Sequence, residues 1–176
     1  MNLSKIARVA RLTSSQLLPV EINKPNYDRH SLEIGIVHFG IGAFHRAHQA
    51  VYLDEVLSQD HGNWMICGVS LRNSTVRKQM LPQDFLFTVA ERTESSDSLK
   101  VIGSVKEVLF APKEQLKVLK RLADFQTKLV TLTISEKGYC HDPSSGKLLK
   151  KHPDILHDLA NYPFPISAIG YLVAGL

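Results

Sequence analysis

Little in this chain of 176 residues speaks for a cross-linked, secreted or membrane-embedded protein. It has two cysteines, Cys67 and Cys140, far apart and in no Cys-x-x-Cys pair. That excludes a disulfide framework and fits a reducing compartment. No secretory apolar core opens the chain, and the uncharged stretch from Leu159 to Leu176 is interrupted by Pro163 and Pro165, so it is no spanning helix. Basic residues number 21 against 17 acidic ones, but they are scattered rather than gathered in a run. A nucleic-acid partner therefore has little support. Metal ligands are scarce as well. His45-x-x-His48 is the one close histidine pair, and no carboxylate or cysteine adjoins it. The expectation is a cytoplasmic protein with no metal, no nucleic acid and no membrane as partner. There is no internal repeat and no low-complexity segment.

What is present describes an ordinary globular chain, 44% hydrophobic and 22% charged, with the core of one domain or of two small ones. Ile34 to Phe39 is a short apolar run that reads as a buried parallel strand. It breaks at Gly40-Ile41-Gly42, and Ala43 to Leu57 follows with helical spacing. Strand, glycine turn and helix in that order form a site where a dinucleotide pyrophosphate meets free N–H groups and a helix dipole. Gly40 would make the turn and Gly42 would let the backbone approach phosphate; the usual third glycine is replaced by His45. Trp64 to Leu71 and Leu129 to Ile134 read as further buried strands. Asn73 to Met80, Pro112 to Leu122 and Asp154 to Leu159 read as helices, and Ile166 to Leu176 as the start of another. Phe85 to Glu91 and Leu99 to Phe110 have strand character and suggest a hairpin added to the parallel core. The fold class is α/β: a Rossmann-like open, mainly parallel sheet with flanking helices and an added antiparallel hairpin. Residues 1–30 read as an N-terminal extension and 31–176 as the dinucleotide-binding domain. Met1 to Leu18, with Lys5, Arg8 and Arg11 and no acid before Glu21, has the composition of a transit peptide or, more simply, of a short surface helix.

Three ordered blocks carry a family resemblance. Phe44-His45-Arg46-Ala47-His48-Gln49 with Tyr52, Ile66 to Arg72, and Thr131-Leu-Thr-Ile-Ser-Glu-Lys-Gly-Tyr-Cys140 resemble the polyol-specific long-chain dehydrogenases. This is the family of mannitol 2-dehydrogenase and fructuronate reductase (D-mannonate oxidoreductase). The resemblance runs from about Tyr27 to Leu176 and implies a nicotinamide-dependent, zinc-independent oxidoreductase of carbohydrate metabolism. Its substrate would be a polyol or a sugar acid. Gly42 to Gln49, Ser135 to Cys140 and Ser167-Ala-Ile-Gly-Tyr171 lean slightly toward the fructuronate reductases.

The resemblance also implies site residues. Phe39, Gly40, Ile41, Gly42, Ala43, Phe44, His45 and Arg46 match the dinucleotide loop, with backbone amides from Gly42 to Phe44 as pyrophosphate donors. Arg46 would either neutralise phosphate or brace the loop against a carboxylate. His45 and His48 would face substrate or serve local packing. At the end of the second strand, Arg72, Asn73, Ser74 and Thr75 include no acid to accept from a ribose 2′-hydroxyl. NAD is the expected cofactor, and Arg72 with Ser74 and Thr75 leaves NADP open. Ser135 and Glu136 follow a strand end and are expected near the nicotinamide, or else to pin a loop with Lys137. No catalytic residue is assigned within the chain. The family's catalytic lysine belongs to a Lys-x4-Asn-x2-His motif in a C-terminal domain, and that motif does not occur in this sequence. The apolar Ile166–Leu176 segment suggests that the catalytic domain is missing and would be the partner of this one. The rival reading is a truncated, non-catalytic dinucleotide-binding remnant.

Overall fold

Six consecutive buried residues, Ile34–Phe39, form the central strand β1. The fold is a computed structural model that describes residues 22–60, 62–92 and 97–175. The Met1–Leu18 segment, His61 and the 93–96 loop tip lie outside the described residues. β1 pairs in parallel with β2 (Met65–Ser70) on one side and with β6 (Leu129–Leu132) on the other. β2 in turn pairs in parallel with β5 (Val105–Phe110). Counted along the chain, the four parallel strands lie in the order third, second, first, fourth. The order reverses between β1 and β6, which is where ligands bind in open α/β sheets.

Strands buried on both faces explain why β1 and β2 read as unbroken apolar runs. Val37, Phe39, Cys67, Val69 and Leu109 pack on one face with Val118 of α4 (Ala111–Leu122) and Tyr171 of α6 (Ala168–Gly175). Ile36, Ile66 and Val108 pack on the other with Ala50 and Val51 of α2 (Gln49–Gln59) and Met80 of α3 (Thr75–Met80). Among the described residues no helix is long and apolar enough to cross a membrane.

The structure departs from the sequence expectation in three places. The helix expected over Ala43 to Leu57 is two helices, α1 (Ala43–Ala47) and α2, broken at His48. The His48 side chain donates from Nδ1 to the Phe44 carbonyl at 2.7 Å, the acceptor its own amide would use in a continuous helix. That amide turns to the His45 carbonyl at 3.3 Å instead. The run Leu99 to Phe110, expected as one hairpin strand, is also two elements. β4 (Asp97–Ile102) pairs antiparallel with β3 (Phe87–Arg92) in a separate two-stranded sheet, and β5 belongs to the parallel sheet. The crossing at Gly103-Ser104 is held by side chains. Gly103 N donates to Asp54 Oδ1 at 2.8 Å, Ser104 Oγ donates to the Ala50 carbonyl at 2.6 Å, and Arg29 donates to the carbonyls of Gly103 and Val105. Finally, β6 is an edge strand rather than a fully buried one, with Leu129 46% exposed.

Candidate functional site

The two glycines after β1 are glycine for different reasons. Gly40 sits at φ +100°, and a Cβ there would run into the Thr133 carbonyl. Its amide donates to the Val69 carbonyl at 3.0 Å, so the turn hangs on the end of β2. The fold itself therefore requires Gly40. Gly42 has an ordinary φ of −77°, and a Cβ there would meet only the Gly40 carbonyl oxygen at 3.7 Å. Nothing in the protein forbids a side chain at Gly42; the space in front of it is cleft. The Gly42 amide is already bonded to the Gly40 carbonyl at 2.6 Å. The amides of Ala43 and Phe44 open α1, where no preceding turn supplies an acceptor.

Beneath the turn lies a buried pair of histidines. His38, on β1, is flanked by Thr131 and Thr133 of the β6 edge. Thr133 Oγ1 donates to the Gly40 carbonyl at 2.8 Å, so it accepts from His38 Nε2–H at 2.9 Å. The other nitrogen, Nδ1, is paired at 2.7 Å with the Thr131 hydroxyl, which also reaches Gln49 Oε1 at 3.2 Å. His45 stacks on His38 with ring centroids 3.6 Å apart, and neither of its ring nitrogens has a hydrogen-bond partner among the described residues. Burial lowers the pKa of His38 to about 4. Burial, with the charges of His38 and Arg46, lowers that of His45 to about 3. Both are neutral packing elements at physiological pH, and His45 lies under the turn rather than in the cleft.

The cleft, of about 630 Å³, opens at the carboxyl ends of β1, β2 and β6. Of the residues expected from sequence, Gly40, Ile41, Gly42, Arg72 and Ser135 line it. Phe39 is fully buried behind it, packed on Tyr171. Ala43 and Phe44 are exposed beside it, with Phe44 stacked on His48 at 4.3 Å. Arg46 donates to the Ile41 carbonyl at 2.8 Å, bracing the loop through its backbone rather than through a carboxylate. Ser74, Thr75 and Glu136 do not line the cleft; Ser74 is half-buried, Thr75 and Glu136 exposed.

Sequence reasoning missed one wall. Asp154, Ile166, Ser167 and Ala168 also line the cleft. Asp154 stands in the first turn of α5 (Pro153–Ala160), and Ile166 to Ala168 are brought there by Asp158 of the same helix, whose carboxylate accepts from the amides of Ile166 and Ser167 at 2.7 and 3.2 Å and from the Ser167 hydroxyl. No local pattern announces that clamp. One cluster of metal-ligand type lies nearby: Cys140, His152 and Asp154 hold donor atoms within 4.8 Å of one another.

Known proteins resemble this chain in sequence and fold. Residues 34–170 match the mannitol dehydrogenase Rossmann domain. The chain is 45% identical over 163 residues to the D-mannonate oxidoreductase of Escherichia coli K12, covering 90% of this chain and 33% of that protein. It is 42% identical over 165 residues to the uncharacterized oxidoreductase YeiQ of the same organism, covering 93% and 34%. With the mannitol 2-dehydrogenase of Pyricularia oryzae it shares 41% over 161 residues, covering 88% and 32%. Among solved structures, the Pseudomonas fluorescens mannitol 2-dehydrogenase in ternary complex with NAD and D-mannitol superposes with a TM-score of 0.87 at 37% identity, over 94% of this chain and 35% of that one. The chain thus spans about a third of the length of the curated relatives it matches. It belongs to the mannitol dehydrogenase family, in the Rossmann domain of that family.

Proposed function

We propose that this chain binds NAD across the cleft and is the cofactor-binding part of an oxidoreductase that interconverts a polyol or sugar acid with its keto form. The observation that carries the reading is Gly42, whose missing side chain leaves open only space in the cleft. The Ala43 and Phe44 amides at the start of α1 would donate to the pyrophosphate. Arg46 would hold those amides in place through the Ile41 carbonyl. Arg72, exposed on the β2 side, would meet the adenosine ribose. When bound, the nicotinamide would supply the hydride acceptor or donor for the carbinol–ketone pair. Ser135 lines the wall at the end of β6, near the position expected for the nicotinamide.

The substrate reading favoured is D-mannonate oxidation, with mannitol oxidation second. The proton-transfer group would lie outside these residues, in the remaining two thirds found in the relatives. The 176-residue chain alone is therefore expected to bind cofactor and turn over nothing. Calorimetric titration with NADH and NADPH, alongside steady-state assays on D-mannonate and mannitol, tests both parts. Turnover by this chain alone would overturn the division of labour and make Lys137 the leading candidate base. Because Arg72 to Thr75 include no acid and Asn73 lines the cleft beside Arg72, Asn73→Asp should shift relative affinity toward NADH by about tenfold, or 1.4 kcal/mol. An unchanged ratio would mean that the ribose is bound elsewhere.

A further inference from the structure

We infer that Cys140, His152 and Asp154 form a site for a thiophilic divalent cation of the zinc type, set into the wall of the cleft. The three donors come from elements fixed independently of any ion. Cys140 ends the 3-10 turn Glu136–Tyr139 in the left-handed conformation, φ 49°. His152 caps α5, and Asp154 stands in its first turn. The loop between them closes on itself, with Leu149 N donating to the Cys140 carbonyl at 2.8 Å and Asp142 N to the Lys147 carbonyl at 2.9 Å. That closure presents the thiol and the imidazole to each other.

The spacing fits a tetrahedral ion. Cys140 Sγ lies 3.6 Å from His152 Nδ1. A zinc ion about 2.3 Å from sulfur and about 2.0 Å from nitrogen places those two atoms roughly 3.5 Å apart. The Asp154 carboxylate completes the group within 4.8 Å. A nucleophilic triad does not fit the same atoms. It would use the two imidazole nitrogens for separate partners, whereas Cys140 Sγ and the Asp154 amide both address Nδ1.

On binding, the thiol would release its proton to solvent. Thiolate and carboxylate would then balance the two positive charges, with Nδ1 as the neutral ligand in place of its 3.2 Å bond to the Asp154 amide. A soft thiolate with an imidazole selects zinc over magnesium or calcium. Asp154 lines the cleft, so the fourth position would be reached from there by water. The role is structural. The ion ties the 136–139 turn to the start of α5, and it serves no step of the proposed oxidoreduction.

The test is titration of the chelator-treated 176-residue chain with Co²⁺. We expect a near-ultraviolet thiolate-to-cobalt band that saturates at one ion per chain and is bleached by Zn²⁺. Cys140→Ser should lose the band, while Cys67→Ser, checked for folding by circular dichroism, should keep it. His152→Gln and Asp154→Asn should each weaken Co²⁺ by about tenfold or more. Zn²⁺ should raise the melting temperature of the wild type and of Cys67→Ser, but not that of Cys140→Ser. A folded wild type with no band, or a band that survives Cys140→Ser, overturns the site. If Cys140→Ser does not fold, unchanged Co²⁺ affinity in the other two variants does the same.

Discussion

Residues 40–42 and 70–73 reach the cleft on the ends of two buried, doubly paired strands, whereas residues 133–138, Asp154 and 166–168 reach it from an edge strand and two short helices. The first wall is fixed by ladder bonds and by the close approach of Gly40 to Thr133. The second is fixed by individual side chains: Asp158 on the 166–167 backbone, and Gln115 donating to the Pro165 carbonyl at 2.6 Å. The chain between Asp154 and Ile166, outside the cleft, also carries large apolar side chains in water, with Leu159 and Tyr162 each 72% exposed. The difference teaches where the tolerance lies. Changes in the first wall strike the sheet itself, while changes in the second shift local geometry and leave the sheet standing.

Substitutions can break or sharpen that contrast. Gly40→Val should have the largest effect, because a branched residue at φ +100° must also displace the Thr133 backbone; a loss of at least about 3 kcal/mol is expected. Urea unfolding measures it, and a near-wild-type midpoint would mean the turn can refold around a side chain. Gly42→Val, two residues away, should change stability by no more than about 1 kcal/mol. It should nevertheless weaken NADH by about a hundredfold, or 2.7 kcal/mol. Equal NADH affinity in calorimetry would remove the phosphate loop from this turn.

The buried histidines give the next effect. Their folded pKa values lie below the ordinary value of 6.5, at about 4 and about 3, so the unfolded chain takes up protons first as the pH falls. Their stability contribution is complete above pH 6.5 and is lost on acidification toward those values. Between pH 7 and pH 5.5 the pair should cost about 2 kcal/mol. His45→Phe should remove about half of that slope in denaturant titrations, and an unaltered slope would locate the acid sensitivity elsewhere. The smallest effect belongs to the second wall. Asp158→Ala should cost about 1.5 kcal/mol, and NADH affinity should fall only a few-fold. A loss as large as that of Gly40→Val would erase the distinction between the walls.

Much of this fold was legible wherever burial acts on consecutive residues. β1, β2, α4 and the glycine turn declare themselves through apolar runs, Pro112 and Gly40. What was hidden depends on side chains acting across the chain. The break at Gly103-Ser104 exists because Asp54, Arg29 and the Ala50 carbonyl satisfy its backbone and hydroxyl, and they lie far away in sequence. The break at His48 has no proline or glycine to announce it, only an imidazole competing for the Phe44 carbonyl. In the site, backbone-determined positions such as Gly40 and Gly42 could be read directly. His45 could not, because its identity alone does not say whether it faces the cleft or the His38 ring. Ser167 and Ala168 could not either, because the Asp158 clamp that delivers them has no sequence signature.

The order in which the ribosome delivers these strands has a consequence for the histidine beneath the turn. His38 emerges 93 residues before Thr131. At roughly 5–20 residues per second, that gap is on the order of 5–20 seconds. Throughout it, the edge of β1 that will receive β6 has no partner, and His38 lacks both threonine hydroxyls. The Gly40 turn is equally unfinished, since Thr133 supplies the hydroxyl on its carbonyl. The nascent chain thus carries an open, apolar strand edge for the whole of that interval, the form in which sheets recruit foreign strands. A chain released before Leu132 would keep that edge for good, which makes the short β6 the cover of the β1 edge as well as a wall of the cleft.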